Sequence, residues 1–212
     1  STTYIIEQYI KLSMYNEIGK QTAKIRRSVQ DMTRLLEDVL TIGKADSEKM
    51  IIEPTKIDLI EECKDVIEEN IAVDNNSHKF TLSSDSKSLI MLTDRTRIHH
   101  IISNLVSNAA KYSPKGSEVK LLVMDEVENV TIKCLDQGIG IPPENASKIF
   151  EPFIRFHNVG STPGTGLGLA IVKKCVVKLN GVITFTSKVN EGTTFRVILP
   201  KDLTKPKKKS SE

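Results

Sequence analysis

An α+β fold, in which a mixed β-sheet is covered on one side by three helices as a two-layer α/β sandwich and is preceded by a helical hairpin, is predicted by three observations. From Ile18 to Val39 the apolar residues step by alternating threes and fours, the spacing of a heptad seam. Three later stretches, Ile57 to Val73, Arg95 to Tyr112 and Leu169 to Leu179, carry apolar stripes at helical spacing. Around them lie short runs with strand character: Lys79 to Ser83, Leu89 to Thr93, Val119 to Met124, Val130 to Leu135, Val182 to Ser187 and Thr193 to Leu199. A length of 212 residues with 39% hydrophobic content suits one α/β domain plus a small stem.

Taken in order, residues 1–46 read as the stem. Ile5, Ile6, Tyr9, Ile10 and Leu12 form a short apolar stripe, a break is expected near Asn16 to Gly19, and Ile18, Ile25, Val29, Met32, Leu36 and Val39 continue the seam with one missed position at Thr22. Isolated helices of this length are marginal in water, whereas two such hairpins paired as a four-helix bundle bury both seams. A homodimer through this hairpin is therefore expected, with a plain coiled linker as the alternative. Residues 47–200 read as the α/β body, opening on the helix Ile57 to Val73 with Ile57, Ile60, Cys63, Ile67 and Ile71 on its inner face. Residues 201–212, with Lys201, Lys205, Lys207, Lys208, Lys209 and Pro206, have no apolar periodicity and are expected to form a disordered basic tail.

Within the body, Asp94 is the expected N-cap of the helix Arg95 to Tyr112, which ends at Ser113-Pro114 and Gly116. Ile98, Ile101, Ile102, Leu105, Val106 and Ala109 make its core stripe, and Asn104, Asn108 and Lys111 fall together on another face. Amide oxygens suit Mg2+, which is held by few protein ligands together with substrate phosphates, and an ammonium suits phosphate. Alone, such a face reads equally as a solvated one.

Asp136 follows two strands, and Gly138 and Gly140 leave room for a planar ring against the main chain. A carboxylate there can accept from the exocyclic amine of adenine, where guanine presents an oxygen. By itself the same pattern is an ordinary turn. The loop Gly164 to Gly168 runs into the last helix, which stops at Asn180-Gly181, so backbone N–H groups and the helix dipole are available to a triphosphate. A dinucleotide fingerprint has similar glycines, but it needs a preceding strand and residues 150–163 carry no strand signal.

In this order and at these separations the segments resemble the catalytic and ATP-binding domain of sensor histidine kinases, a fold of the histidine kinase/Hsp90-like ATPase type. Asn104-Leu-Val-Ser-Asn108-Ala-Ala-Lys111-Tyr112 looks like the N box, Asp136-Gln-Gly-Ile-Gly140-Ile141 the first glycine box, Ile149-Phe150-Glu-Pro-Phe153 the phenylalanine box and Gly164 to Gly168 the second glycine box. Glu191 to Phe195 before Val197 to Pro200 is similar to the closing strand, so the resemblance covers roughly residues 50 to 200. It implies ATP and Mg2+ as cofactors. Asn104 and Asn108 would hold Mg2+, Lys111 would contact phosphate, Tyr112 would pack on adenine and Asp136 would read its amine, with Thr193 in support. Gly138, Gly140 and Ile141 would line the base. Gly164, Thr165, Gly166, Leu167 and Gly168 would seat the phosphates. Arg155 would reach the terminal phosphate and complete the catalytic set with Asn104 and Lys111, and residues 156–163 would form a lid.

The stem likewise resembles the dimerisation and phosphoacceptor stem of that family, which implies transfer of the ATP γ-phosphate to a stem histidine and relay to an aspartate of a response-regulator receiver domain. The expected His-Glu-x-Arg/Lys-x-Pro box is absent, and Ser1 to Ile6 resembles the stretch just after it. The acceptor is thus expected before Ser1, and this chain is expected to bind ATP without autophosphorylating. Its four histidines, His78, His99, His100 and His157, lack the required neighbours and read as surface or edge residues.

A net charge of +3 calls for no nucleic-acid partner. Cys63, Cys134 and Cys175, odd in number and far apart, suit reduced thiols. No apolar run approaches the ~20 residues of a membrane span, and no signal peptide is visible. A cytoplasmic location is expected, with membrane attachment only through parts outside this chain. Two alternatives are a superfamily relative that hydrolyses ATP or phosphorylates serine, and a degenerate dimeric scaffold. The first lacks the heptad stem, and the second is disfavoured because every nucleotide-contacting position is intact.

Overall fold

The computed structural model describes residues 51–154 and 164–205, together with Thr3, Tyr4, Gln8, Ile10, Met14, Tyr15, residues 17–22, Ile25, Arg26, Val29, Met32, Thr33, Leu35, Leu36, Val39, Leu40 and Gly43. The chain forms two compact units, Ser1–Thr41 and Ile42–Glu212. All described residues up to Gly43 are helical. They include Glu17, Ile18 and Gly19, where a break is expected. There Gln21 Nε2 donates to Glu17 Oε1 at 3.0 Å and Thr22 Oγ1 donates to the Ile18 carbonyl at 2.8 Å, contacts one turn apart on a continuing helix. A hairpin turn at 17–19 is therefore corrected to helix. Asn16 and much of the stem lie outside the described residues. Among the described residues of the seam, Ile18, Ile25, Met32 and Leu36 are 57%, 64%, 65% and 64% exposed.

The second unit is a sheet under helices. Strand β1 (Thr55–Asp58) is followed by helix α1 (Leu59–Asp74), strands β2 (Lys79–Ser84) and β3 (Ile90–Thr93), and helix α2 (Arg95–Tyr112). Strands β4 (Glu118–Asp125) and β5 (Asn129–Leu135) come next, then helix α3 (Gly168–Lys178) and strands β6 (Val182–Lys188) and β7 (Gly192–Pro200). Five strands form one mixed sheet in the order β2-β4-β5-β7-β6, with β2 and β4 parallel and the other pairs antiparallel. The three helices, the strand period and the caps follow from the residues. Val119, Leu121 and Val123 of β4 and Val130, Ile132 and Cys134 of β5 are buried against Leu105, Val106, Ile171, Val172 and Val176 of the helices. Each such aliphatic side chain contributes about 1.5–3 kcal/mol on burial.

One expectation is corrected at β3. Leu89 to Thr93 does not join the main sheet; it pairs antiparallel with β1, from Thr55 opposite Thr93 to Asp58 opposite Ile90. The strand β1 was hidden because Ile57 also fits the helical spacing of Ile60 and Cys63. The helix starts only at Leu59, where the Asp58 side chain accepts from the Ile60 N–H at 2.9 Å and from the Leu89 N–H at 3.1 Å. Leu59, Ile60, Cys63 and Val66 are buried on its inner face, Ile67 packs on the same core, and Ile71 is 38% exposed.

A second correction concerns the tail. Lys201 belongs to the fold: its N–H donates to the Glu128 carbonyl, and its carbonyl accepts from Leu92. The Leu203 N–H donates to the Leu92 carbonyl, and its side chain packs on the core. Residues 206–212 lie outside the described residues.

His78 also departs from the surface reading. Its side chain is 7% exposed, with Nδ1 2.7 Å from Asp74 Oδ1 and Nε2 3.4 Å from the Ser113 carbonyl. It ties the end of α1 to the end of α2. His99 binds the buried Glu62 at 2.9 Å, beside Arg95 at 2.7 Å, and so pins α1 to α2 on their outer side. The three cysteines are buried and free, and burial pushes the Cys63 and Cys175 thiols up to about 12, as fits inert reduced thiols. Among the described residues no helix is long and apolar enough to cross a membrane.

Candidate nucleotide site

Helix α2 delivers the first group of side chains. Its apolar stripe is fully buried, which fixes its rotation, and Asp94 caps it by accepting from the Arg97 N–H at 3.1 Å. Asn104, Asn108 and Lys111 are consequently held on the flank that meets the start of α3. A β-carbon placed on Gly168 would lie 2.8 Å from Asn104 Oδ1 and 3.4 Å from Asn108 Nδ2. Asn104 Nδ2 donates to the His100 carbonyl at 2.8 Å, which turns Oδ1 away from its own helix. A β-carbon on Gly164 would meet Lys111 Nζ, and that ammonium lies 4.8 Å from the centroid of the Tyr112 ring.

The N-terminus of α3 has no side-chain cap; the residue at the cap position is Leu167. Its first N–H groups thus lack a side-chain acceptor at the positive end of the helix dipole, and its first residue, Gly168, packs against the two asparagines. Thr165 Oγ1 accepts from the Leu167 N–H at 3.2 Å and shapes the loop, and the Gly166 carbonyl accepts from the Phe153 N–H at 3.0 Å, which joins the loop to the phenylalanine box. Leu167 is fully buried and anchors the loop on the hydrophobic core.

Asp136 ends β5 and is held from several sides. Oδ1 accepts from the Gly138 N–H at 2.8 Å and the Thr193 N–H at 3.1 Å, and its own N–H donates to the Thr193 carbonyl at 2.9 Å. Burial raises its carboxyl above the usual carboxylate range, and the two N–H donors only partly offset that. Both bonds end on Oδ1, which leaves Oδ2 as the acceptor for a ligand donor. Gly140, at φ 68°, packs so closely on the Lys188 carbonyl that any side chain would collide with it. The Ile139 N–H donates to the Tyr112 carbonyl at 3.1 Å, which binds this loop to the end of α2.

Three of the sequence motifs thus converge: Asn104, Asn108, Lys111 and Tyr112 against Gly164 to Gly168 on one side, and Asp136, Gly138, Gly140 and Thr193 joined to the end of α2 on the other. Arg155 and the expected lid, residues 156–163, lie outside the described residues. Ser187 was missed by the sequence reading. It shares the inward register of Ile183 and Phe185 on β6, and a serine at an inward strand position is the signal that could have found it. Its hydroxyl contacts Ile141, Gly192 and Thr193.

The sequence model of the histidine kinase-, DNA gyrase B- and HSP90-like ATPase family matches residues 93–203, and the chain belongs to that family. Residues 93–203 span α2, both glycine loops and the four sheet strands β4 to β7. Sensor-like histidine kinase SenX3 of Mycobacterium tuberculosis is 40% identical over 132 residues, 61% of this chain and 32% of that protein. Sensor protein RprX of Bacteroides fragilis is 31% identical over 209 residues, 94% of this chain and 40% of that protein. The structure of the mycobacterial sensor histidine kinase MprB superposes with a TM-score of 0.62 at 28% identity, covering 71% of this chain and 99% of that one. Within the family, then, residues 93–203 form an ATP-binding domain of the histidine kinase type, similar to those of these sensor proteins. The chain spans about a third to two fifths of the length of these two curated relatives.

Proposed function

We propose that this chain binds Mg-ATP between α2 and α3 and transfers the γ-phosphoryl group to a histidine of a dimeric stem, for relay to an aspartate of a response-regulator receiver domain. The observation that carries this reading is the approach of the asparagine flank of α2 to the uncapped start of α3, with Asp136 and Thr193 tied to the end of the same helix. Asn104 and Asn108 are the residues that would hold Mg2+, a role that the outward-turned Asn104 Oδ1 fits. When bound, the ion neutralises charge on the phosphate oxygens. Lys111 contributes a further positive charge, α3 its N–H groups, and Asp136 an acceptor for the adenine amine, so catalysis is chiefly positioning and electrostatic stabilisation. The Pγ–O bond to ADP breaks as a Pγ–N bond to imidazole forms, and the imidazole proton leaves to solvent.

None of His78, His99, His100 and His157 stands in an acceptor box, so the chain binds ATP without phosphorylating itself. The test is titration with a non-hydrolysable ATP analogue with and without Mg2+, with GTP as competitor. Magnesium-dependent binding that GTP does not displace is expected, and absence of binding leaves only a scaffold.

Exposure along the seam supports the dimer. The same helical segment of another copy would bury Ile18, Ile25, Met32 and Leu36, which are exposed in the single chain. Light scattering is expected to give twice the chain mass, and Met32→Glu to reduce it to the single-chain value; a monomeric parent chain refutes the pairing.

A further inference from the structure

We infer that Ser187 is a specificity-determining residue that sets the hydrogen-bond polarity of the Thr193 hydroxyl, so that this hydroxyl offers the nucleotide only an acceptor. The inference rests on the adenine-nucleotide reading above and assigns a role within that site to a residue outside every motif.

The proton inventory carries it. A serine hydroxyl has one proton to donate and two lone pairs. Ser187 Oγ lies 2.8 Å from the Ile141 nitrogen, 3.0 Å from the Gly192 carbonyl oxygen and 2.8 Å from Thr193 Oγ1. The amide of Ile141 can only donate, so one lone pair is used there. The carbonyl of Gly192 can only accept, so the single Ser187 proton goes to it. The contact with Thr193 then has one consistent direction: the Thr193 hydroxyl donates and Ser187 accepts with its second lone pair. All three bonds coexist only in this arrangement, and the reverse direction forfeits the Gly192 bond.

The consequence reaches the ligand. With its proton committed to Ser187, Thr193 Oγ1 has only lone pairs left. Asp136, which accepts from the Thr193 N–H at 3.1 Å, is an acceptor as well while ionised. Two neighbouring acceptors with no free proton complement an exocyclic amine, directly or through a water, and oppose a carbonyl oxygen at the same ring position. The site thus selects a 6-aminopurine over a 6-oxopurine partly through a residue whose remaining contacts are all with protein. Thr193 is 6% exposed, so little solvent is available to supply a competing partner for its proton.

The experiment compares the affinities of ATP and inosine triphosphate for the intact chain. Wild type is expected to prefer ATP. Ser187→Ala releases the Thr193 proton to serve a 6-oxo group, and the preference is expected to fall about tenfold, the scale of one hydrogen bond gained and lost. Ser187→Thr, which keeps the hydroxyl, is expected to retain the preference. Thr193→Val is expected to lower it to a similar degree, and the double variant to lower it no further. Equal weakening of both nucleotides in Ser187→Ala, with the preference intact, shows a purely structural serine and overturns the inference. If Ser187→Ala does not fold, an unchanged preference in Thr193→Val overturns it instead. Failure of the wild-type chain to bind ATP is a separate outcome, read without any variant, and it overturns the nucleotide reading together with this one.

Discussion

Asp136→Asn is expected to abolish adenine-nucleotide binding, by 100-fold or more on the scale at which sites built for a polar group reject a mismatch, while raising the melting temperature of the nucleotide-free protein. The two effects share one cause. An asparagine oxygen can keep the bonds from the Gly138 and Thr193 N–H groups, so the loop survives. Its NH2 group, however, takes the place of the free carboxylate oxygen and confronts the adenine amine donor to donor.

The stability gain follows from the raised carboxyl of Asp136. Below 3.8, the ordinary value, folded and unfolded chains are both protonated and no penalty exists. As the pH rises from 3.8 through the higher folded-state value, the unfolded chain releases its proton first and wild-type stability falls. The full penalty of holding a desolvated carboxylate is present at neutral pH, and the asparagine variant escapes it. Thermal denaturation at pH 7 should therefore show the variant melting above wild type, with the gap narrowing as the pH is lowered toward 3.8. A variant that melts lower at pH 7 contradicts the desolvation argument, and one that still prefers adenine contradicts the assignment of Asp136.

Gly192→Ala is the second large effect, and here the damage is to the fold. At φ 112° Gly192 occupies backbone space that side chains rarely adopt, and an added β-carbon would collide with the Asp136 main-chain carbonyl. That carbonyl is part of main chain and cannot swing aside. Strain and overpacking together are expected to cost about 2–5 kcal/mol, a large part of a typical domain's 5–15 kcal/mol. For a chain of this size the melting temperature should fall by roughly 10 °C, and because the collision is with Asp136 itself, nucleotide affinity should fall with it. A drop of less than about 2 °C would mean that β7 can shift to make room, against a collision with the Asp136 carbonyl.

Much of the site was legible because its chemistry is local. Asn104, Asn108 and Lys111 share a face by helical geometry alone, and the capping role of Asp94 needs only its place before an apolar stripe. The uncapped start of α3 was readable from Gly164 to Gly168 running directly into Leu169 and Ala170. The pairing of β3 was not legible, since strand partners are chosen by the tertiary fold. Leu89 to Thr93 has the same β character as the strands of the main sheet, and only the folded chain shows that β1 takes one of its edges and residues 201–203 the other. His78 was read as a surface residue for a related reason: Asp74 is near in sequence, but the Ser113 carbonyl arrives from the far end of α2. Ser187 escaped notice because its partners Ile141, Gly192 and Thr193 come from two different segments, which no spacing along the chain reveals.

The pairing at β3 has one more effect. Thr55, near the start of the catalytic body, lies opposite Thr93, and Lys201, near its end, bonds Leu92. The polypeptide thus enters and leaves along a single seam, its two ends separated by the width of one strand. A body connected in this way is a cassette: it can be spliced between unrelated neighbours in a longer chain without its ends being drawn apart across the domain, as suits a part found in proteins more than twice its length.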